Sequence, residues 1–189
     1  PKSPDYTPNK TRDDTHADIT ELLERLRRRP EVEAVSLSQN SYPYNGSNSS
    51  GEVRYDTLQS PGWTIRRMVT PDFVRVFRYQ GTRGETPEQL AEMLERGEFL
   101  ASDNLYRKYD RKLTEFVGKR FQLFGDTTKT YQLGAALQNV RYHDYDQARS
   151  SYCFLVKQSF YYVDLELCVR VREGQDNDFI TKLKEDSES

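Results

Sequence analysis

The chain has 189 residues, of which 31% are charged and 35% hydrophobic, and its formal net charge is −2. This length fits one compact domain. No run approaches the roughly 18 apolar residues of a membrane span, so no membrane partner is expected. Two cysteines and two histidines are too few for a structural zinc site or a disulfide framework. The composition therefore indicates a reducing compartment, nuclear or cytoplasmic.

The two ends of the chain differ from its middle. Residues 1–14 are polar and show no apolar period, which predicts a disordered leader. Residues 15–29 follow as a predicted helix that Pro30 ends. The apolar face of this helix is predicted to comprise Ile19, Leu22, Leu23 and Leu26. Residues 182–189 form a charged tail.

Eight segments have the period or the composition of β-strands. They are residues 31–37, 52–58, 63–69, 73–80, 113–124, 127–133, 151–157 and 160–172. The clearest helix covers residues 87–96, because Thr86 is a suitable N-cap, Gln89 completes a capping box and Gly97 is a natural end. Strands and helices do not alternate. We therefore expect the α+β class, with an antiparallel β-barrel or tunnel of about eight strands and two or three flanking helices, as a single domain over residues 15–181.

The last predicted strand alternates between apolar and charged side chains. Its charged face includes Asp164, Glu166 and Arg170. Such a strand is either half exposed, with its charges in water, or part of a barrel with a polar lumen. Inside a lumen, carboxylates would hold a hard cation, and arginines from other strands would bind phosphate oxygens.

Five segments resemble the tunnel-type RNA 5′-triphosphatases of mRNA capping, in that family's order. They are Glu31-Val32-Glu33, Asp72-Phe73-Val74-Arg75-Val76, Arg107-Lys108-Tyr109-Asp110-Arg111, residues 121–128 with Asp126-Thr127-Thr128, and Val163-Asp164-Leu165-Glu166-Leu167. The resemblance implies metal-dependent hydrolysis of the terminal phosphate of triphosphate-ended RNA or of a nucleotide.

The resemblance also implies a role for each residue of the site. Glu31, Glu33 and Glu166 would bind Mg²⁺ or Mn²⁺, and Asp164 or Glu166 would orient the attacking water. Charge on the transferred phosphoryl group would be neutralised by basic side chains. These would be Arg75, Arg78, Arg107 and Arg111.

At four positions the triphosphatase pattern has a charged residue and this chain does not. They are Val35, Gln80, Tyr109 and Cys168. The chain also resembles subunit 18 of the Mediator head module, through Thr114-Glu115-Phe116-Val117 and residues 162–174 followed by a charged helix. This second resemblance implies a related barrel without catalysis, which docks other subunits of a transcription complex. A third segment, Val76-Phe77-Arg78-Tyr79, resembles the first strand of arginine-type ADP-ribosyltransferases, but that family's later motifs do not follow.

Overall fold

The computed structural model describes residues 12–39, 49–138, 152–158 and 166–188. The helices in these ranges are α1 (Arg12–Arg27), α2 (Phe73–Val76), α3 (Pro87–Glu95) and α4 (Asp176–Glu188), with two 3-10 helices, η1 (Asp103–Tyr109) and η2 (Leu113–Phe116). The strands are β1 (Val32–Gln39), β2 (Val53–Tyr55), β3 (Leu58–Gln59), β4 (Ile65–Val69), β5 (Phe99–Ser102), β6 (Arg120–Leu123), β7 (Tyr131–Leu137), β8 (Cys153–Lys157) and β9 (Glu166–Val171). No helix in the described ranges is both long enough and apolar enough to cross a membrane.

The strands form one mixed sheet in the order β3-β2-β6-β7-β5-β8-β4-β1-β9. The α+β class is thereby confirmed. Two pairs at the centre of the sheet, β4 with β8 and β5 with β7, are parallel. The order has two ends, so the sheet is not closed into a barrel among the described residues, and the antiparallel barrel expected from the sequence is not observed there.

The chain divides into two compact units. One contains the described residues up to Val35 together with those from Arg170 onward, and the other is Ser36–Val169. The prediction of a single domain over residues 15–181 stays a prediction.

In the larger unit, the central strands are buried on both faces, as is usual where helices cover a sheet with parallel pairs. One face packs against α2 and α3, in a core of Ile65, Val69, Phe73, Val74, Leu90, Ala91, Leu94, Leu100, Ala135, Leu137, Cys153 and Leu155. The other face packs against η1 and η2, in a core of Val53, Phe99, Ala101, Leu105, Tyr106, Leu113, Phe116, Phe121, Leu123, Leu133, Ala136, Phe154 and Val156. These cores lie between the sheet and its helices, which is why no lumen is needed to bury the apolar residues.

The smaller unit contains both long helices at the ends of the described chain. Leu23 and Leu26 of α1 are buried, but Leu22 is 43% exposed, so the predicted apolar face is correct only in part. α1 begins at Arg12, within the segment predicted to be a disordered leader. α4 continues through the predicted charged tail as far as Glu188.

The predicted strand over residues 73–80 is wrong. Phe73–Val76 is a helical turn, and Arg78 has a left-handed backbone with a φ of 51°. Pro71, which precedes the turn, has the fixed φ of a first helical turn. Phe73 and Phe77 then pack at a ring distance of 4.6 Å, a contact between residues four apart that a helix allows and a strand does not.

Residues 107–111, whose resemblance to the triphosphatase family implies a basic strand, do not form one. The first three of these residues end η1, and Asp110 caps this helix in the left-handed conformation, with φ 54° and ψ 36°. The predicted strand over residues 113–124 is correct only in its last part, because η2 and Gly118 precede β6. The short strand β5 was not predicted, although its uninterrupted burial follows from the run Phe99-Leu100-Ala101 after the helix end at Gly97.

Candidate binding surface

The first predicted metal ligand, Glu31, is buried and already has a cationic partner. It is 4% exposed, and Nζ of Lys182 in α4 donates a hydrogen bond to its Oε1. This hydrogen bond lowers the pKa of Glu31 and raises the pKa of Lys182. The carboxylate therefore serves as the counterion of a lysine within the smaller unit.

The other predicted metal ligands lie in different surroundings. Glu33 is exposed on β1, and its Oε2 lies 3.4 Å from Nε of Arg170. Glu166 is half buried at the start of β9, and Asp164 lies outside the described residues. No group of three or more histidine, cysteine, aspartate or glutamate side chains suited to a metal ion occurs in the described ranges. The Mg²⁺ or Mn²⁺ site stays a prediction.

The four predicted phosphate-binding arginines lie on helical segments or beside them, and not on strands. Arg75 of α2 forms an ion pair with Asp72, three residues earlier. Nε of Arg111 lies 2.7 Å from Glu115 Oε2, and its guanidinium covers the ring of Phe116 at 4.8 Å. Arg78 and Arg107 are exposed. Arg75 and Arg111 thus neutralise neighbouring carboxylates of their own segments.

A different feature of the larger unit is the turn between β6 and β7. The amide of Asp126 donates to the carbonyl of Leu123 at 3.1 Å, and the two residues between them, Phe124 and Gly125, have φ values of 63° and 71°. Positive φ at both central positions defines a type I′ turn, in which asparagine or glycine is the usual first residue. A phenylalanine there adopts a strained conformation.

The ring of Phe124 is held in place although it is 36% exposed. Its centroid lies 5.7 Å from that of Phe154 and 6.1 Å from that of Tyr131. The guanidinium of Arg66 lies 5.4 Å from the same ring, and Arg66 forms no ion pair with any described residue. An aromatic ring and an arginine are therefore presented together at the end of β6.

A second turn presents the single tryptophan of the chain. Trp63 is 55% exposed, the largest exposed fraction among the large hydrophobic side chains of the described residues. Thr64 closes the turn by donating to the carbonyl of Pro61 from its amide at 3.0 Å and from its hydroxyl at 2.6 Å. Ser60 anchors the turn to Val53 through two hydrogen bonds, of 2.9 and 3.0 Å. The exposed ring is therefore on a fixed backbone.

The two turns are joined through the consecutive residues Gly51 and Glu52. The amide of Gly51 donates to the carbonyl of Thr64 at 2.9 Å, and the carbonyl of Glu52 accepts from the amide of Phe124 at 3.2 Å. A Cβ on Gly51 would lie 2.8 Å from the ring of Phe154, so only glycine allows this approach. We refer to residues 60–64 and 123–126, with Gly51 and Glu52 between them, as the aromatic double turn.

Part of this surface follows from the sequence. The predicted strands over residues 52–58 and 63–69 leave a turn at Ser60-Pro61-Gly62 between them, but the tryptophan beside this turn was not recognised as exposed. The dipeptide Gly125-Asp126 between two apolar segments was a signal for the turn at residues 123–126. The strained conformation of Phe124 has no such signal, since it depends on packing against residues distant in sequence.

No family model matches the sequence, and no curated protein matches it. Among solved structures, the chain is similar to the periplasmic region of MacB from Actinobacillus actinomycetemcomitans. The TM-score is 0.55 and the sequence identity 9%, over 86% of this chain and 69% of that one. At this identity the likeness concerns the fold alone.

Proposed function

We propose that this chain is a non-catalytic protein-interaction module that docks a partner protein through the aromatic double turn. The observation that carries the proposal is the exposure of Trp63 and Phe124 on two hydrogen-bonded turns that share Gly51 and Glu52. Tryptophan and arginine are enriched among the residues that contribute most to binding at protein interfaces. A fixed backbone also reduces the entropy that is lost when these side chains are ordered on binding.

The charged residues support a non-catalytic role, because several of the predicted site residues are already engaged in ion pairs. Glu31, Glu33, Arg75 and Arg111, half of the eight predicted site residues, already have an oppositely charged partner within their own unit. Ion pairs of this kind stabilise a fold or hold its elements in register. They leave these groups less available to a metal or a phosphate. The resemblance to the Mediator subunit implies a binding role of this type, and that assignment stays a prediction.

The partner surface that fits the double turn is an apolar pocket bordered by a carboxylate. Trp63 and Phe124 would fill the pocket, and the carboxylate would face Arg66. Because Arg66 has no anionic partner among the described residues, such a carboxylate would complete a charged hydrogen bond without breaking an existing one.

The proposal is tested by placing a photo-crosslinking phenylalanine analogue at position 124 and, as a control, at exposed position 88 of α3. A partner that is crosslinked only from position 124 is then purified, and its affinity is measured directly. We expect Trp63→Ala to weaken binding about 30-fold, as for a residue that contributes roughly 2 kcal/mol. Ile180→Ala removes an apolar side chain of α4 that is 50% exposed, close to the 55% of Trp63, and should leave the affinity unchanged.

Two results would contradict the proposal. One is a purified partner that binds wild type and Trp63→Ala equally well. The other is release of phosphate from a nucleoside triphosphate or triphosphate-ended RNA that requires Mg²⁺ or Mn²⁺ and is lost in Glu166→Ala. The second result would support the triphosphatase prediction instead.

A further inference from the structure

The segment Arg107–Arg120 has a charge opposite to that of the rest of the chain. It contains six basic and two acidic residues, a net charge of +4, so the remaining residues together carry −6. We name its basic residues the basic strip: Arg107, Lys108, Arg111, Lys112, Lys119 and Arg120. All six are exposed. A cluster of this kind produces a local positive potential that the net charge of the chain does not reveal.

Most of this charge has no counterion among the residues that the structure describes. Arg111 is paired with Glu115, but Arg120 donates to the hydroxyl and the carbonyl of Thr130, both at 2.8 Å, and these acceptors are neutral. Arg107, Lys112 and Lys119 form no ion pair with any described residue. The strip therefore presents several cations that an anionic partner could contact without displacing an existing carboxylate.

The basic strip borders the aromatic double turn at two places. Arg120 begins β6 and Phe124 directly follows this strand, a separation of about 13 Å at the rise of an extended chain. At the other end, the hydroxyl of Tyr109 accepts a hydrogen bond from the amide of Gln59 at 3.2 Å, and Ser60 begins the turn at residues 60–64. A single bound segment could reach both surfaces.

We propose that the basic strip binds an acidic segment of the same partner protein whose apolar side chains contact the aromatic double turn. This inference rests on the proposed interaction function and adds the chemistry of the partner: several aspartate or glutamate residues close to an apolar anchor. Complementary charge at the border of an interface accelerates association and excludes partners of the wrong sign.

A protein segment fits this surface better than single-stranded nucleic acid does. Nucleic-acid surfaces combine cations with aromatic faces on which bases stack. Here one face of the Tyr109 ring is occupied by Lys108, whose ammonium lies 4.7 Å from the ring centroid. The hydroxyl of Tyr109 accepts a hydrogen bond from the amide of Gln59, so this ring is less available for stacking on a base. A long nucleic acid would also meet the net negative remainder of the chain, whereas a short acidic segment would contact the strip alone.

The test measures the affinity of a fluorescein-labelled decaglutamate peptide and of a decauridylate of the same length, each at low and at high salt. The variant Lys112→Glu/Lys119→Glu changes the charge of the strip. The control Arg25→Glu/Arg28→Glu makes the same change in charge around the C-terminal end of α1, and circular dichroism confirms that both variants are folded. We expect decaglutamate to bind wild type at low salt, to weaken at high salt and to weaken about tenfold in the strip variant alone.

Three outcomes would overturn the inference: no binding of decaglutamate to folded wild type, an equal loss in the α1 control, or tighter binding of decauridylate, which would identify the strip as a nucleic-acid site. The affinity of the variant Trp63→Ala for decaglutamate is measured as well. This substitution should not change the affinity for decaglutamate, because this peptide lacks an apolar anchor. Failure of the strip is thus separate from failure of the double turn, which is measured with the crosslinked partner.

Discussion

Replacing Phe124 by asparagine tests whether the side chain of Phe124 contributes mainly to the stability of the fold or to the binding of a partner. The ring is about two thirds buried. Full burial of a phenylalanine contributes roughly 1.5–3 kcal/mol, so this ring contributes about 1–2 kcal/mol. The contact with Arg66 adds about 0.5–1 kcal/mol. Against these gains, the left-handed backbone costs a phenylalanine about 1–2 kcal/mol, most of which asparagine avoids.

The two effects nearly cancel, so we expect Phe124→Asn to lower the free energy of unfolding by only about 1 kcal/mol. In a chain of this length such a loss lowers Tm by about 2–4 °C. Urea unfolding followed by circular dichroism measures the change, with an unaltered m-value as the check that the unfolding transition is the same. Binding of the partner should be lost in the same variant.

The stability loss of Phe124→Asn is compared with that of a substitution at Phe121, a core residue of the same hairpin. Phe121 is 1% exposed and packs against Tyr55, Phe99 and Tyr106. Phe121→Ala should cost about 3–5 kcal/mol, as for a core phenylalanine. If Phe124→Asn costs as much as Phe121→Ala, Phe124 is a core residue and the reasoning that assigns it to binding is refuted.

Three further predictions concern stability. Thr86→Ala removes the capping box of α3 and should cost about 1 kcal/mol in urea unfolding, whereas Thr86→Ser should cost much less. Tyr106→Phe removes the bond from the hydroxyl to the carbonyl of Val53 at 3.2 Å; because that carbonyl also accepts from a backbone amide, the loss should stay below about 1.5 kcal/mol, and a larger loss would contradict it. Lys182→Met should destabilise the chain at neutral pH and progressively less as the pH falls below 4.5, the ordinary pKa of Glu31. The sign follows from the lowered pKa of this carboxyl: its stabilisation is complete above pH 4.5 and is lost on protonation, so a difference from wild type that is independent of pH between 7 and 3 would exclude the mechanism.

Local signals predicted the elements whose determinants are close in sequence. The capping box at Thr86 and Gln89, the end at Gly97, and the strands β1, β4 and β8 follow from such signals. Residues 73–80 were wrongly predicted as a strand because their aromatic residues alternate. In the structure, the contact between Phe73 and Phe77, four residues apart, favours a helical turn. Tertiary packing thus overrode the pattern.

The order of the strands in the sheet and the ion-pair partners of the charged residues could not be predicted from the sequence. The parallel pairs join strands that are distant in the chain, so no turn signal indicates them. The partners of Glu31 and Arg75 could not be read from composition. Lys182 is far away in sequence, while Asp72 became a partner only because its segment is helical and not extended.

The parallel pair of β4 and β8 also determines when the chain can fold. Ile65 pairs with Cys153 and Val69 with Lys157, so the order of the strands in the sheet differs from the order in which they are synthesised. Closing such a long loop is slow, because its entropic cost is paid before the pairing contributes any stability. Until β8 leaves the ribosome, β4 and β5 lack the strand that lies between them, and their unpaired edges are exposed to other nascent chains. Folding of the larger unit is therefore expected to be completed only after β8 has been synthesised and to depend on protection of those edges until then.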